Sequence, residues 1–202
     1  VEGGAHARTA SVRGPLGDPV RARFARAGDV AIVEMSAASG LMLVDAAKRD
    51  PLRADTYGTG ELLRAAAKGA RRIVVGVGGS ATCDGGVGML RALGVRFLDG
   101  AGRAIEGGPA DFHAVRSIDA DGLDRSVAGA QIAVAVDVNN PLLGPDGAAA
   151  VFAPQKGASA QDVAALERAL ERIADVAART FGRDLRALPG AGAGGGVAYG
   201  LA

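Results

Sequence analysis

A chain of 202 residues is long enough to bury a core of its own and suits one domain or at most two. Its 23 basic and 22 acidic side chains leave a formal charge of +1, and five Phe, two Tyr and no Trp offer little for base stacking, so neither nucleic acid nor an anionic membrane is an expected partner. A single Cys83 excludes an intrachain disulfide, His6 and His113 lack zinc-ligand spacing, and no apolar run reaches signal-peptide or membrane-span length, all of which suits a cytoplasmic protein.

In chain order, VRARFA (20–25) alternates side-chain types and predicts an edge strand, and VAIVEM (30–35) is a short apolar run typical of a buried strand. Beyond Pro51, Thr59 is placed to cap a helix through Leu62 and Leu63 that stops at Gly69. RRIVVGVG (71–78) predicts a strand covered on both faces, as in a parallel sheet. Asp84 to Leu93 reads as a helix ending at Gly94, followed by strands at VRFLD (95–99) and QIAVAVDV (131–138). From Ser159 the apolar positions Val163, Leu166, Leu170, Ile173, Ala177 and Phe181 recur at spacings of three and four, Ser159 and Asp162 have capping-box spacing, and Gly182 ends the helix. The tail from Pro189 to Ala202 has the glycine content of a flexible linker. The alternation predicts a single α/β domain over 1–202, with a mixed or largely parallel sheet flanked by helices.

Glycine is the compositional outlier, at 32 residues against a usual share of about 7 %. Five of them (Gly76, Gly78, Gly79, Gly85, Gly86) fall within eleven residues directly after an apolar run. Each costs roughly 0.5–1 kcal/mol of backbone entropy relative to alanine, so this loop either bends sharply or lets something approach its backbone. Between a strand and a helix, successive N–H groups of such a loop can bind an anion. Ser80 and Thr82 add hydroxyls, and Asp84 could hold a metal-bound water or a substrate hydroxyl. On that reading Asp84→Ala removes binding and leaves the fold intact; the plainer reading is a tight turn in which Asp84 only caps the helix. No lysine follows these glycines as a P-loop requires. Gly76-x-Gly78-x-x-Ala81 fits the looser dinucleotide pattern with Asp99 placed for a ribose, so an NAD(P)-dependent oxidoreductase is the alternative.

Two further groups carry candidate chemistry. Asp137 stands at the end of a predicted strand, where an acid could bind magnesium or accept a proton from a substrate hydroxyl, with Asn140 three residues on. Lys156, in the turn before the long helix, could place its charge on a phosphate or carboxylate. Glu34 ends an apolar strand, where a carboxylate is costly unless paired or at a site, and Ser36 could cap the next helix.

Together the strings GPLGDPVRARF (14–24), VEMSAASGL (33–41), DPLRADTYGTGELLRAA (50–66), RRIVVGVGGSATCDGGVGMLRALGVRFLD (71–99), VDVNNPLLGPDGAAAVFAPQKGA (136–158) and LPGAGAGGGVAYGLA (188–202) resemble the bacterial type I glycerate kinase family, in the family's order. The resemblance implies ATP- and Mg2+-dependent phosphorylation of D-glycerate, usually to 2-phosphoglycerate. It implies an anion-binding or catalytic loop at Gly78, Gly79, Ser80, Thr82, Asp84, Gly85 and Gly86, metal or hydroxyl contacts at Asp137 and Asn140, and a charge-stabilising Lys156. Partners would be the two small molecules, and a homodimer is compatible. Cys83 stands where the family has Asn, and no neighbouring histidine or lysine in sequence lowers its pKa for catalysis. Family chains are nearly twice as long, so these residues look like the inserted second domain of the family fold. The glycine tail then becomes a return crossing instead of a linker, and the 202 residues alone are expected to show little kinase activity.

Overall fold

The computed structural model describes residues 4–202; the first three residues of the expected domain lie outside the described residues. The chain opens with an antiparallel hairpin, β1 (His6–Arg13) and β2 (Pro19–Ala27), followed by β3 (Val30–Glu34), the short helix α1 (Ser36–Ser39) and α2 (Tyr57–Ala67). Then come β4 (Arg72–Gly76), α3 (Val87–Ala92), β5 (Arg96–Leu98), β6 (Ser117–Asp119), α4 (Arg125–Ala128), β7 (Gln131–Ala135), α5 (Ala148–Phe152), α6 (Ala160–Phe181) and α7 (Ala193–Leu201). The main sheet has the order β1-β2-β3-β4-β7, with β4 parallel to both of its neighbours, so the α/β class and the mixed sheet hold.

Several strand expectations need correction. VRARFA is interior, because HARTASVR (6–13) forms the edge strand β1 beside it. The run VAIVEM is buried on one face only: Ala31 and Val33 are fully buried, while Ile32 stays 38 % exposed. The cause is the helix layer, since α2 packs across β1 to β4 on the Ala31, Val33, Ile73 and Val75 side. QIAVAVDV is not a buried core strand; β7 is the other edge, and its residues are half-buried or exposed. VRFLD leaves the main sheet altogether, and β5 pairs with β6 in a separate antiparallel ribbon.

The helices show why their ends fall where they do. Thr59 lies inside α2 and does not cap it; Thr56 precedes the helix and Thr59 Oγ1 instead meets Ser39 Oγ at 2.8 Å. Arg26 closes the far end of α2, donating to the carbonyls of Ala66, Lys68 and Gly69 that the last turn leaves without partners. In α6 the capping box forms as expected, with Ser159 Oγ accepting from Asp162 N and Asp162 Oδ2 accepting from Ser159 N, and Gly182 closes the helix in the left-handed conformation. Its apolar stripe buries Leu166, Leu170 and Ile173, but Phe181 at the last position is 55 % exposed. Beneath α6, the fully buried Phe97 and Phe112 join Val87, Val115, Ile173 and Val176 in a core of their own, each ring stabilising the fold by about 1.5–3 kcal/mol. The tail is no linker: Ala193, Val197, Ala198 and Tyr199 of α7 are buried.

Candidate functional site

The glycine-rich segment after β4 divides into two parts with different environments. Gly78 and Gly79 are exposed, whereas Ser80 through Met89 are buried without a break. Two backbone hydrogen bonds tie the junction to the end of α1 and the residues just after it, Leu41 N to Gly79 O and Ala81 N to Ser39 O, both 2.8 Å. The exposed part lines a cavity of about 340 Å³ whose walls include Ser80, Asp137, Gln155, Lys156, Gly194 and Gly195. Four segments far apart in sequence therefore meet at the carboxyl ends of β4 and β7, where open α/β sheets place their ligand crevices.

Lys156 is the most constrained charge in this wall. Only 2 % of it is exposed, and its Nζ donates to Ser80 Oγ (2.7 Å) and to Thr82 O (2.6 Å). The 3₁₀ turn Pro154–Lys156 before α6 delivers it, and Gly157 turns the chain away in the left-handed conformation. Burial pushes its ammonium below the ordinary lysine range, while Cys83 and Asp84 pull it back up. A buried ammonium with two neutral oxygen partners retains a third proton for an anion. Lys156 thereby does two things: it fixes the shape of the Ser80–Thr82 bend and puts positive charge at the cavity wall.

Asp84 has a different place from the one expected of it. It is fully buried, and its carboxylate accepts from Thr56 N (2.9 Å), Thr56 Oγ1 (2.7 Å), Gly86 N (3.1 Å) and Gly88 N (3.0 Å). It sits between the starts of α2 and α3 and satisfies N–H groups that helix ends leave open. The residues lining the cavity do not include it. The plainer capping role is the one its geometry carries, and α3 begins only at Val87 because Gly85 and Gly86 adopt left-handed conformations first.

The remaining candidates separate in the same way. Asp137 is exposed and lines the cavity. Asn140 lies outside the lining; its Nδ2 donates to Asp146 O at 2.7 Å within its own loop. Thr82 is buried, its Oγ1 has no partner among the described residues, and its carbonyl is the atom that Lys156 holds. Gly85 and Gly86 are buried against α3, α6 and α7, where added Cβ atoms would approach Met89, Leu170 and Val197, so they shape the loop from behind. Burial pushes the Cys83 thiol up to about 11, consistent with a packing role. Glu34 is exposed with its carboxyl over Gly76, and Ser36 is the first residue of α1, whose start has no side-chain capping bond among the described residues.

The dinucleotide alternative fails on the same geometry. Asp99 follows β5, which is not a strand of the main sheet, and its carboxylate is occupied by Ala101 N, Arg103 N and the Arg103 guanidinium. The helix starts nine residues after Gly78, too late to present its N-terminus to a pyrophosphate beside that glycine. The sequence reading also missed part of the wall: Gly194 and Gly195 line the cavity. Three successive glycines directly before an apolar stretch were the available signal, since only glycine holds a left-handed run without a steric cost of about 1–2 kcal/mol per residue.

Comparison with known proteins places this geometry in a family. The glycerate kinase family pattern matches residues 2–202. Glycerate kinase of Bacillus subtilis (strain 168) is 50% identical over 193 residues, which are 94% of this chain and 50% of that one. Glycerate 2-kinase of Escherichia coli (strain K12) is 46% identical over 197 residues, 96% of this chain and 52% of that one. A crystal structure from Salmonella typhimurium LT2, described as a candidate glycerate kinase 2, superposes with a TM-score of 0.94 at 45% identity, covering 98% of this chain and 54% of that one. The chain spans about half the length of the curated relatives it matches. It belongs to the glycerate kinase family.

Proposed function

We propose that these residues form one wall of the active site of a cytoplasmic glycerate kinase, which transfers the terminal phosphoryl group of ATP to D-glycerate to give 2-phosphoglycerate. The observation that carries this reading is the Lys156–Ser80 contact at the floor of a cavity edged by Gly78, Gly79 and Asp137. Phosphoryl transfer depends on positioning and on stabilising spread negative charge. Exposed glycine backbone can approach an anion closely, and the buried ammonium acts more strongly there than it would in water.

Asp137 is the residue that would hold Mg2+. Magnesium takes one or two protein carboxylates and completes its shell with phosphate oxygens and water, so a single exposed carboxylate on the cavity wall fits it. Among the described residues no group of three or more His, Cys, Asp and Glu side chains gathers to bind a metal without such help. When bound, the ion neutralises phosphate charge. Lys156 and the glycine backbone hold anionic oxygens, and Asp137 orients what enters. The length that the relatives have beyond this match would supply the second side of the cleft.

The test is ATP-dependent conversion of D-glycerate, with phosphorus NMR separating 2- from 3-phosphoglycerate. The 202 residues alone are expected to run on the order of 100-fold or more below a chain completed with the complementary half of the Bacillus subtilis relative, because mispositioning alone costs that much. Equal rates for both would overturn the two-sided cleft. Absence of phosphorylated glycerate from the completed chain would overturn the activity itself.

A further inference from the structure

The tail contributes a feature that the glycine loop by itself does not explain. Gly194 (φ 65°, ψ 25°), Gly195 (φ 69°, ψ 30°) and Gly196 (φ 92°, ψ 8°) form an unbroken left-handed turn at the start of α7. The turn is wedged against the loop after β4. Gly85 N donates to Gly195 O at 3.0 Å, and a Cβ on Gly195 would lie 2.0 Å from Thr82 O. Gly194 and Gly195 thus line the same cavity as Gly78, Gly79, Ser80 and Lys156.

Hydrogen-bond accounting shows what this cavity offers. Among the described residues, the N–H groups of Gly78, Gly79, Gly194 and Gly195 have no acceptor. Ser80 Oγ accepts from Lys156, which leaves its own proton to donate, and Lys156 keeps one ammonium proton. Donors therefore come from three separate segments of the lining, 78–80, Lys156 and 194–195, and Asp137 is the sole carboxylate among the lining residues. Successive N–H groups in a left-handed turn make an anion-binding concavity.

We infer that Gly194 and Gly195 form the second wall of an oxyanion cradle, and that the cradle takes a phosphate chain instead of the carboxylate of the organic acid. A carboxylate presents two oxygens from one carbon and engages few donors. Donors from three separate segments around a cavity of about 340 Å³ match the oxygens of linked phosphates. Asp137 repels a bare carboxylate but accommodates a divalent cation carried on phosphate oxygens. The inference rests on the phosphoryl-transfer reading and specifies which substrate enters here.

The test follows amide resonances of the isotope-labelled chain during titration with sodium tripolyphosphate plus Mg2+, and separately with D-glycerate, at matched ionic strength. Gly78, Gly79, Gly194 and Gly195 are expected to shift together on one tripolyphosphate curve, while Gly17 and Gly102, in exposed turns, stay in place. Gly78→Ala should weaken that curve at least tenfold and fold normally, because its Cβ would meet nothing within 4 Å. Shifts at Gly78 and Gly79 with Gly194 and Gly195 silent would overturn the second wall. A curve with D-glycerate alone would overturn the phosphate assignment, and silence with both anions would overturn the cradle. Product formation by the completed chain with Gly194 and Gly195 silent rejects the cradle and keeps the kinase. Shifts at all four glycines without product would reject the kinase and keep the cradle.

Discussion

Replacing Asp84 with Ala separates a structural carboxylate from a ligand-binding one. The side chain is fully buried and accepts four hydrogen bonds, two from Thr56 and one each from Gly86 and Gly88. Truncation strands these donors where water does not reach, and each stranded donor costs about 1–3 kcal/mol. Thr56 Oγ1 also accepts from Met89 N (2.8 Å), so its hydroxyl can reorient only at the expense of a second helix start. A total loss of roughly 4–6 kcal/mol is expected, a large part of the ~5–15 kcal/mol that holds a domain together. At about 2–4 °C per kcal/mol for a domain of this size, the melting temperature should fall by about 10–20 °C. Asp137→Ala is the control: that side chain is exposed, and its removal should stay within about 0.5 kcal/mol. Thermal melts followed by circular dichroism, with urea titrations alongside, read both variants. An Asp84→Ala chain melting within about 2 °C of the parent would refute the capping assignment.

Two other perturbations follow from the same reasoning. Ser159→Ala opens the capping box of α6 and should cost about 1 kcal/mol, a drop of roughly 2–4 °C in the same melts; no change would mean that the first turn is held by packing alone. Burial, followed by the charge of Asp84, pushes the Asp55 carboxyl above its ordinary range, against the opposing pull of Tyr57 N and Arg13. The folded state then holds that proton more tightly than the unfolded chain, so the contribution of Asp55 is fully present below the unfolded pKa and is lost as pH rises through the raised folded value. Urea titrations of the parent and Asp55→Asn from about pH 4 to pH 7 should show the variant gaining on the parent as pH rises. A difference that is flat or of opposite slope would mean that Arg13 outweighs burial.

What the sequence made legible was local. The boundaries of α6 were readable because capping box, apolar stripe and terminal glycine all lie within one continuous segment. β4 was readable because parallel neighbours on both sides favour an unbroken apolar run. β1 was not: HARTASVR lies at a sheet edge with mostly exposed residues, so it carries no hydrophobic pattern. β3 and β7 looked alike as apolar runs, yet one lies inside the sheet and the other at its edge, a difference set by strand order, which no local pattern encodes. The motif residues divided for a similar reason. Asp84 and Asp137 both follow apolar strands, and only the helix starts converging on one and the cavity beside the other assign them opposite roles.

The glycine surplus shows how that limit arises. Considered separately, the loop after β4 is a candidate anion site and the tail is a candidate linker. Folded, the two segments touch backbone to backbone: a Cβ on Gly196 would lie 2.7 Å from Gly85 Cα, and one on Gly200 2.8 Å from Gly85 O. Side chains at these positions would force the segments apart, and with them the parts of the cavity lining that each segment contributes. Glycine in the tail is therefore required by glycine in the loop more than a hundred positions earlier. The entropy that each glycine costs the chain is offset by a contact that no larger residue permits. Composition revealed the excess, but its purpose depends on a pairing that exists only after the chain has folded.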